Sequence, residues 1–123
     1  MNMKYCLSET EQEIMEVLWD KKEFVKTRDL LGIFNEKGKN WKRQTLNTFL
    51  IRLEEMGLIL RDRSVVRAAG TRIDYQKMQS REVLDLLYGG DMGNFCMALT
   101  GQQSISEEDK QELNRLINKM MQN

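Results

Sequence analysis

The stretch from Lys39 to Arg52 carries four cations and no acid, although the whole chain holds equal numbers of acidic and basic residues. Its apolar residues, including Leu46, Leu50 and Leu53, recur at helical intervals and can face a core. The opposite side offers cations, amides and hydroxyls, which are the groups that contact phosphates and base edges in the DNA major groove. The stretch therefore predicts an amphipathic helix that reads duplex DNA.

Two sets of side chains are predicted to contact DNA. Base edges would be read by Thr45, Asn47 and Thr48, together with Gln44 or Arg43. The phosphate backbone would be held by Lys39, Lys42, Arg52, Arg61 and Arg63, and Arg43 is a further phosphate candidate.

Two residues of this stretch have an alternative role. Trp41 either contacts DNA or packs on its own domain, and packing is favoured because a Trp at the start of a helix usually has a large apolar contact. Arg52 either reaches a phosphate or pairs internally with Glu55 or Glu16.

The charges are unevenly distributed along the 123 residues. The segment from Lys21 to Arg81 has fifteen basic and seven acidic residues, a net charge of +8, and the rest of the chain has a net charge of −8. We interpret the basic part as the surface that meets a polyanion. A hydrophobic content of 41% indicates a folded core, in one domain or two small ones.

Catalytic and metal-binding chemistry has little support. The sequence contains no His, so a Ser-His or Cys-His dyad is excluded, and it has no Gly-rich phosphate loop. Cys6 and Cys96 are too few for a structural zinc site. We expect no cofactor and no enzyme activity. The lack of a long apolar run or a secretory segment predicts a cytoplasmic protein without membrane insertion.

Residues 1–70 are predicted to form a winged helix-turn-helix domain, in a mainly α fold. Ser8 and Glu11 form a capping box for a first helix over about residues 9–20, and Thr27 is a plausible N-cap for a second. The third helix is expected to begin at Trp41 and to end near Met56, before a Gly that permits positive φ. The β-prone runs 58–60 and 65–66 predict a short hairpin, the wing.

Residues 71–123 are predicted to form a helical dimerisation domain, with helices over about 72–88, 92–99 and from 106 onward. These helices hold little apolar mass for a core of their own. Several apolar side chains would therefore be half exposed in a monomer, and such patches usually mark an interface. The predicted interface residues are Leu84, Leu87, Met92, Phe95, Leu99, Leu113, Leu116 and Ile117. The alternative is that these helices fold back on the N-terminal domain.

Several motifs occur in a fixed order and spacing. The third helix and the residues after it contain Trp, then Thr-x-x-Thr-x-Leu-x-Arg-Leu, then Gly with two apolar residues, at Trp41, Thr45, Thr48, Leu50, Arg52, Leu53, Gly57, Leu58 and Ile59. The first helix contributes Leu7, Ser8, Glu11, Ile14, Met15, Leu18 and Trp19. Further on come Asp74-Tyr75, Ser80-Arg81, Leu84-Asp85, Tyr88-Gly89-Gly90 and the closing helix to Leu116. Together these motifs resemble the BlaI/MecI/CopY family of bacterial repressors over nearly the whole chain.

The resemblance implies a homodimeric winged-helix repressor that binds a palindromic double-stranded DNA operator. It also implies release when a membrane sensor peptidase cuts the dimerisation region, or when metal occupies a Cys-rich tail in the copper branch. The Cys motifs of that branch are absent. The cleavage dipeptide Asn-Phe of the family would align near Ala98 and Leu99, and the pair Asn94-Phe95 lies out of register.

The chain departs from the family pattern at the reading position and in the wing. Asn47 stands where the family often has Arg, and because Asn favours adenine where Arg favours guanine, we expect a different operator. Met56 replaces a Lys, and the segment 59–69 is shorter than the usual wing. The alternative hypothesis is therefore a winged-helix protein–protein interaction module that has lost specific DNA binding.

Overall fold

The computed structural model describes residues 3–121, which form six helices and a small antiparallel sheet. Their bounds are α1 Glu9–Lys21, β1 Val25–Lys26, α2 Thr27–Glu36, α3 Arg43–Glu55, β2 Ile59–Asp62, β3 Val65–Ala68, α4 Arg72–Tyr88, α5 Met92–Thr100 and α6 Glu107–Met121. This architecture confirms the predicted mainly α winged-helix fold. None of the described helices is long and apolar enough to cross a bilayer.

The chain forms two compact units, the first ending at Gln79 and the second beginning at Ser80. Both ends of this boundary lie within α4, so the first turns of that helix belong to the first unit. The predicted division after residue 70 into two functional domains stays a prediction.

Local capping signals fix the start of α1. The amide of Glu11 donates to Ser8 Oγ (3.2 Å) and the amide of Ser8 donates to Glu11 Oε1 (2.9 Å), which confirms the predicted capping box. Two orphan N–H groups of the first turn are satisfied in this way.

The same reciprocal arrangement caps α4, between Thr71 and Asp74. The hydrogen bonds from the Thr71 backbone and side chain hold the pKa of the Asp74 carboxyl below its usual value. The predicted start of this helix near residue 72 is confirmed.

The starts of α2 and α3 differ from the sequence prediction. Thr27 is the first residue of α2 rather than its N-cap, because its amide (2.8 Å) and its hydroxyl (3.1 Å) both donate to the Ser64 carbonyl in the wing. Helix α3 begins at Arg43, two residues after Trp41, and Lys42 is its extended N-cap residue. A contact with a distant segment, which local sequence does not encode, therefore changes the start of α2.

The sheet has the order β1-β3-β2, with both neighbouring pairs antiparallel. The wing is the β2–β3 hairpin, and its strands reach further than predicted, so that only Arg63 and Ser64 remain in the turn. Strand β1 adds to the hairpin through Val25, which pairs with Val66. Gly57, which follows the C-cap residue Met56 of α3, has φ 78°, as predicted.

The first unit encloses a dense apolar core. Helices α1, α2, α3 and the sheet bury the following residues, among others: Ile14, Met15, Leu18, Leu30, Phe34, Leu46, Leu50, Leu53, Ile59 and Val66. Tyr75 of α4 also joins this core, where its ring packs 5.5 Å from that of Trp19. The first turns of α4 are therefore anchored in the winged helix.

The second unit buries almost nothing by itself. Among residues 80–120, only Gly93 is buried. All eight predicted interface residues are partly or largely exposed, and Leu99 and Leu116 expose 74% and 53% of their surface. Leu86 and Met120 are also exposed, and the sequence prediction did not include them.

Candidate nucleic-acid interface

A groove of about 750 Å³ lies between α3, the wing turn and the start of α2. We call it the basic groove. It is lined by Lys26, Thr27, Arg28, Arg43, Gln44, Asn47, Arg61, Arg63 and Ser64. Five of these residues are cationic and none is acidic, so the groove favours a polyanion.

Five of the predicted DNA-contacting residues meet in this groove: Arg43, Gln44, Asn47, Arg61 and Arg63. The first three lie on one face of α3, and the last two come from the wing. The described fold thus brings together two segments that are separated in sequence. Whether these residues contact DNA stays a prediction.

The basic groove also contains residues that the sequence analysis missed, namely Lys26, Thr27, Arg28 and Ser64. The bonds from Thr27 to the Ser64 carbonyl tie the first turn of α2 to the wing turn. The excess of positive charge from Lys21 to Arg81 was the only sequence signal for these residues, and it could not tell which cations would meet.

The segment before α3 is held by an amide clamp and by aromatic stacking. The Trp41 amide donates to Asn35 Oδ1 (2.6 Å), and Asn35 Nδ2 donates to the Trp41 carbonyl (3.2 Å). The Trp41 ring lies 4.9 Å from that of Phe34 and 5.4 Å from that of Phe49. Trp41 therefore packs on its own unit, the role favoured from the sequence, and these contacts fix the position of α3.

The outward face of α3 is open to solvent. Lys42, Arg43, Gln44, Thr45, Asn47 and Thr48 are all exposed. The Thr48 hydroxyl donates to the Gln44 carbonyl (3.0 Å), which leaves its oxygen as an acceptor for an external donor. Among the described residues, no carboxylate lies within ion-pairing distance of Lys42.

One side chain of α3 is tied to the wing. Arg61 Nη2 in β2 donates to Asn47 Oδ1 at 2.7 Å. Arg67, by contrast, lies over the ring of Phe24 (5.4 Å to the centroid) and does not line the basic groove. Within the wing, therefore, Arg61 is the cation that touches α3 directly.

Two predicted phosphate ligands form internal ion pairs. Lys39 Nζ lies 3.0 Å from Glu13 Oε2, and Arg52 Nε lies 2.6 Å from Glu11 Oε2. The prediction that Arg52 pairs with Glu55 or Glu16 was wrong, because Arg52 forms its ion pair with Glu11 of α1. Since the Glu11 side chain is only 4% exposed, Arg52 neutralises a nearly buried carboxylate.

Glu16 has a different partner from the one proposed. The guanidinium of Arg72 makes a bidentate contact with this carboxylate and lies 5.4 Å from the centroid of the Trp19 ring. The hydrogen bond from Arg72 lowers the pKa of Glu16 below its ordinary value of 4.5. This pair joins α1 to the first residue of α4.

The segment predicted for proteolytic cleavage lies in the last turns of α5, where Ala98 and Leu99 are exposed. The nearby Asn94 is exposed too, but Phe95 packs edge-on against Tyr88 at 5.3 Å. Cleavage near Ala98 and Leu99 stays a prediction from the resemblance. Among residues 3–121, no group of acidic or thiol side chains is arranged to hold a metal ion.

A winged helix with an exposed, cationic third helix is the architecture of a DNA-binding transcription factor. Residues 7–119 match the family model described as penicillinase repressor. The chain belongs to this family of transcriptional repressors, which are not enzymes.

Individual relatives cover almost the same length. The chain is 23% identical over 122 residues to "Methicillin resistance regulatory protein MecI" of Staphylococcus aureus (strain N315). The aligned region covers 96% of this chain and 98% of the relative. It is 25% identical over 121 residues to "Penicillinase repressor" of Staphylococcus aureus, covering 95% and 94%. A similar protein from Mammaliicoccus sciuri is 22% identical.

Proposed function

We propose that this repressor binds a palindromic operator as a homodimer, with α3 of each protomer in the major groove of one half-site. The observation that carries this proposal is the acid-free basic groove, which unites the exposed face of α3 with the wing and the start of α2. A polyanion that follows this groove would place its base edges against Gln44, Asn47 and their neighbours.

The roles of the contacting residues follow from their surroundings. Arg43, Gln44, Thr45, Asn47 and Thr48 read base edges from the exposed face of α3. Lys42 and Arg63 hold phosphates, and the missed residues Lys26 and Arg28 join them. Lys39 and Arg52 contribute less, because a phosphate would compete with the carboxylates of Glu13 and Glu11 for them.

The second protomer binds through the helices beyond residue 79. A unit whose residues 80–120 bury only Gly93 has no core to stabilise three helices, so its apolar faces need a cover. A second copy of the chain supplies the same apolar faces and the two-fold symmetry that a palindrome requires.

The proposal is tested by mobility shift of the full chain on sheared genomic DNA and on the fragments it retains. We expect a sequence-selective shift that weakens steeply with salt, and a footprint of two half-sites about 10 base pairs apart or a multiple of this. Arg43→Ala should weaken the complex. Arg115→Ala, a charge-matched change in α6, should leave it intact.

The alternative of a protein-interaction module predicts a different result. It requires that no fragment is enriched over bulk DNA at any salt concentration and that Arg43→Ala behaves like Arg115→Ala. That pair of results would refute DNA reading by this chain. A single protected half-site would refute the dimeric, palindromic form of the proposal.

A further inference from the structure

The hydrogen bond between Arg61 and Asn47 fixes which way the Asn47 amide faces. A guanidinium has five N–H donors and no acceptor, so only the amide oxygen can face it. The 2.7 Å contact joins Arg61 Nη2 to Asn47 Oδ1, in agreement with this rule. The Nδ2 group of Asn47 is therefore the end of the amide that Arg61 leaves available, and it offers two donors.

Strand pairing fixes the backbone of Arg61. Arg61 in β2 pairs in register with Val66 of β3, whose side chain is fully buried. Within the described part of the chain, no carboxylate forms an ion pair with Arg61 that would draw it away from Asn47. The bond to α3 is therefore the direct polar contact of this guanidinium.

The base edges differ in what they offer to a donor-only group. Guanine presents two adjacent acceptors, N7 and O6, in the major groove, whereas adenine presents the acceptor N7 beside the donor N6. Bidentate reading of adenine by Asn needs the amide oxygen to accept from N6. Arg61 already takes one of the two lone pairs of this oxygen, and its positive charge beside the oxygen disfavours the approach of a second donor such as the N6 amino group.

We propose that Asn47, oriented by Arg61, selects guanine rather than adenine through its Nδ2 donors. This inference rests on the proposed DNA reading by α3. It reverses the expectation from residue type alone, by which Asn favours adenine. Arg61 is thus a positioning residue for base selection, and the base preference of α3 depends on a residue of the wing.

Selection of bound sequences from a random duplex pool tests the proposal with the whole chain described here and three variants of it. Asn47→Ala identifies the base pair read by Asn47, because selectivity at that position alone should disappear. The wild type should prefer guanine there by about tenfold. Arg61→Ala should change this preference to adenine, since the amide becomes free to turn.

Arg63→Ala is the matched control, because it removes the same charge from the neighbouring turn without touching Asn47. It should weaken binding to all sequences and leave the guanine preference in place. A preference for adenine in the wild type, or an Arg61→Ala preference equal to that of the wild type, would overturn the inference. Failure of the wild type to enrich any sequence would instead overturn the proposed function.

Modified bases give a second readout that needs no variant. Replacing the selected guanine by 7-deazaguanine removes N7, and we expect wild-type affinity to fall about tenfold. Inosine keeps N7 and O6 and should bind almost as well as guanine. Unchanged affinity for 7-deazaguanine would exclude the two-donor contact, even if Arg61→Ala failed to fold.

Discussion

The two compact units differ in how they use their apolar residues. The first unit buries large side chains from four helices and a sheet around one core, whereas residues 80–120 bury only Gly93. Both units nevertheless contain regular helices with side-chain caps, for example at Ser8 in the first unit and at Asp91 in the second. The difference shows that helix formation and core formation are separate requirements, and that the second unit meets only the first of them in a single protomer.

The largest expected effect comes from matched truncations in the two units. Leu50→Ala removes a fully buried side chain of α3 and should lower the free energy of unfolding by about 2–5 kcal/mol. Leu116→Ala makes the same chemical change at a half-exposed position of α6. In urea denaturation at low protein concentration it should cost less than about 1 kcal/mol. Equal losses would contradict the contrast between the units.

A charge on the exposed face of α6 should act on association rather than on folding. Leu116→Glu would place an unpaired carboxylate in the proposed protomer contact and should raise the dimer dissociation constant about a hundredfold or more. Sedimentation over a range of concentrations measures this constant. Leu60→Glu, at a similarly exposed leucine of the wing, should leave it unchanged. A dimer that withstands Leu116→Glu would exclude this face.

Within the first unit, internal ion pairing should make Lys39 and Lys42 differ in their contribution to DNA binding, although both are predicted phosphate ligands. Lys42→Ala should reduce the slope of log affinity against log salt by about one unit. The reason is that Lys42 has no internal ion pair with any described residue and its proposed phosphate contact is lost. Lys39→Ala should reduce it less, since Lys39 already neutralises Glu13. Titrations of the retained operator at several salt concentrations provide both slopes, and Lys119→Ala in α6 is the control. Identical slopes for the first two variants would show that the Glu13 pair has no influence.

The smallest expected effect concerns the ion pair between Arg72 and Glu16, which joins the start of α4 to α1. Because Arg72 lowers the pKa of Glu16, the folded state favours the carboxylate, and this stabilisation is present above pH 4.5 and is lost as the pH falls through the lowered pKa. Glu16→Gln should therefore be less stable than the wild type at neutral pH, by less than about 1 kcal/mol because the pair is half exposed.

Denaturant unfolding at neutral pH and at successively lower pH values would reveal the loss of this difference as the pH passes below the lowered pKa. Glu23→Gln, in the exposed segment after α1, serves as the control. A difference between Glu16→Gln and the wild type that persisted unchanged in acid would contradict the assignment to this ion pair.

Features with local causes were predictable from the sequence. The capping boxes at Ser8 and Thr71 and the positive φ of Gly57 follow from residues within one or two turns. The two capping boxes identify the starts of α1 and α4. The amphipathic period of α3 likewise identified which side faces the core and which remains exposed.

Features that join distant segments were not predictable. The bond from Thr27 to Ser64 spans 37 positions, and the pair of Arg52 with Glu11 links the third helix to the first. From sequence spacing alone, several acidic residues are equally good ion-pair partners for Arg52. Only the packing of α1 against α3 determines that Glu11 is the partner. The contribution of α2 to the basic groove depends on the pairing of β1 with β3 for the same reason.

At position 63 in the turn of the wing, stability of the fold and binding of an anion favour different residues. Arg63 has φ 56°, a left-handed conformation that suits glycine and costs a residue with a side chain about 1–2 kcal/mol. A glycine there would relieve the backbone strain but would remove a guanidinium from the basic groove. The sequence keeps the arginine, as expected if the proposed contact of Arg63 with a phosphate outweighs this loss of stability.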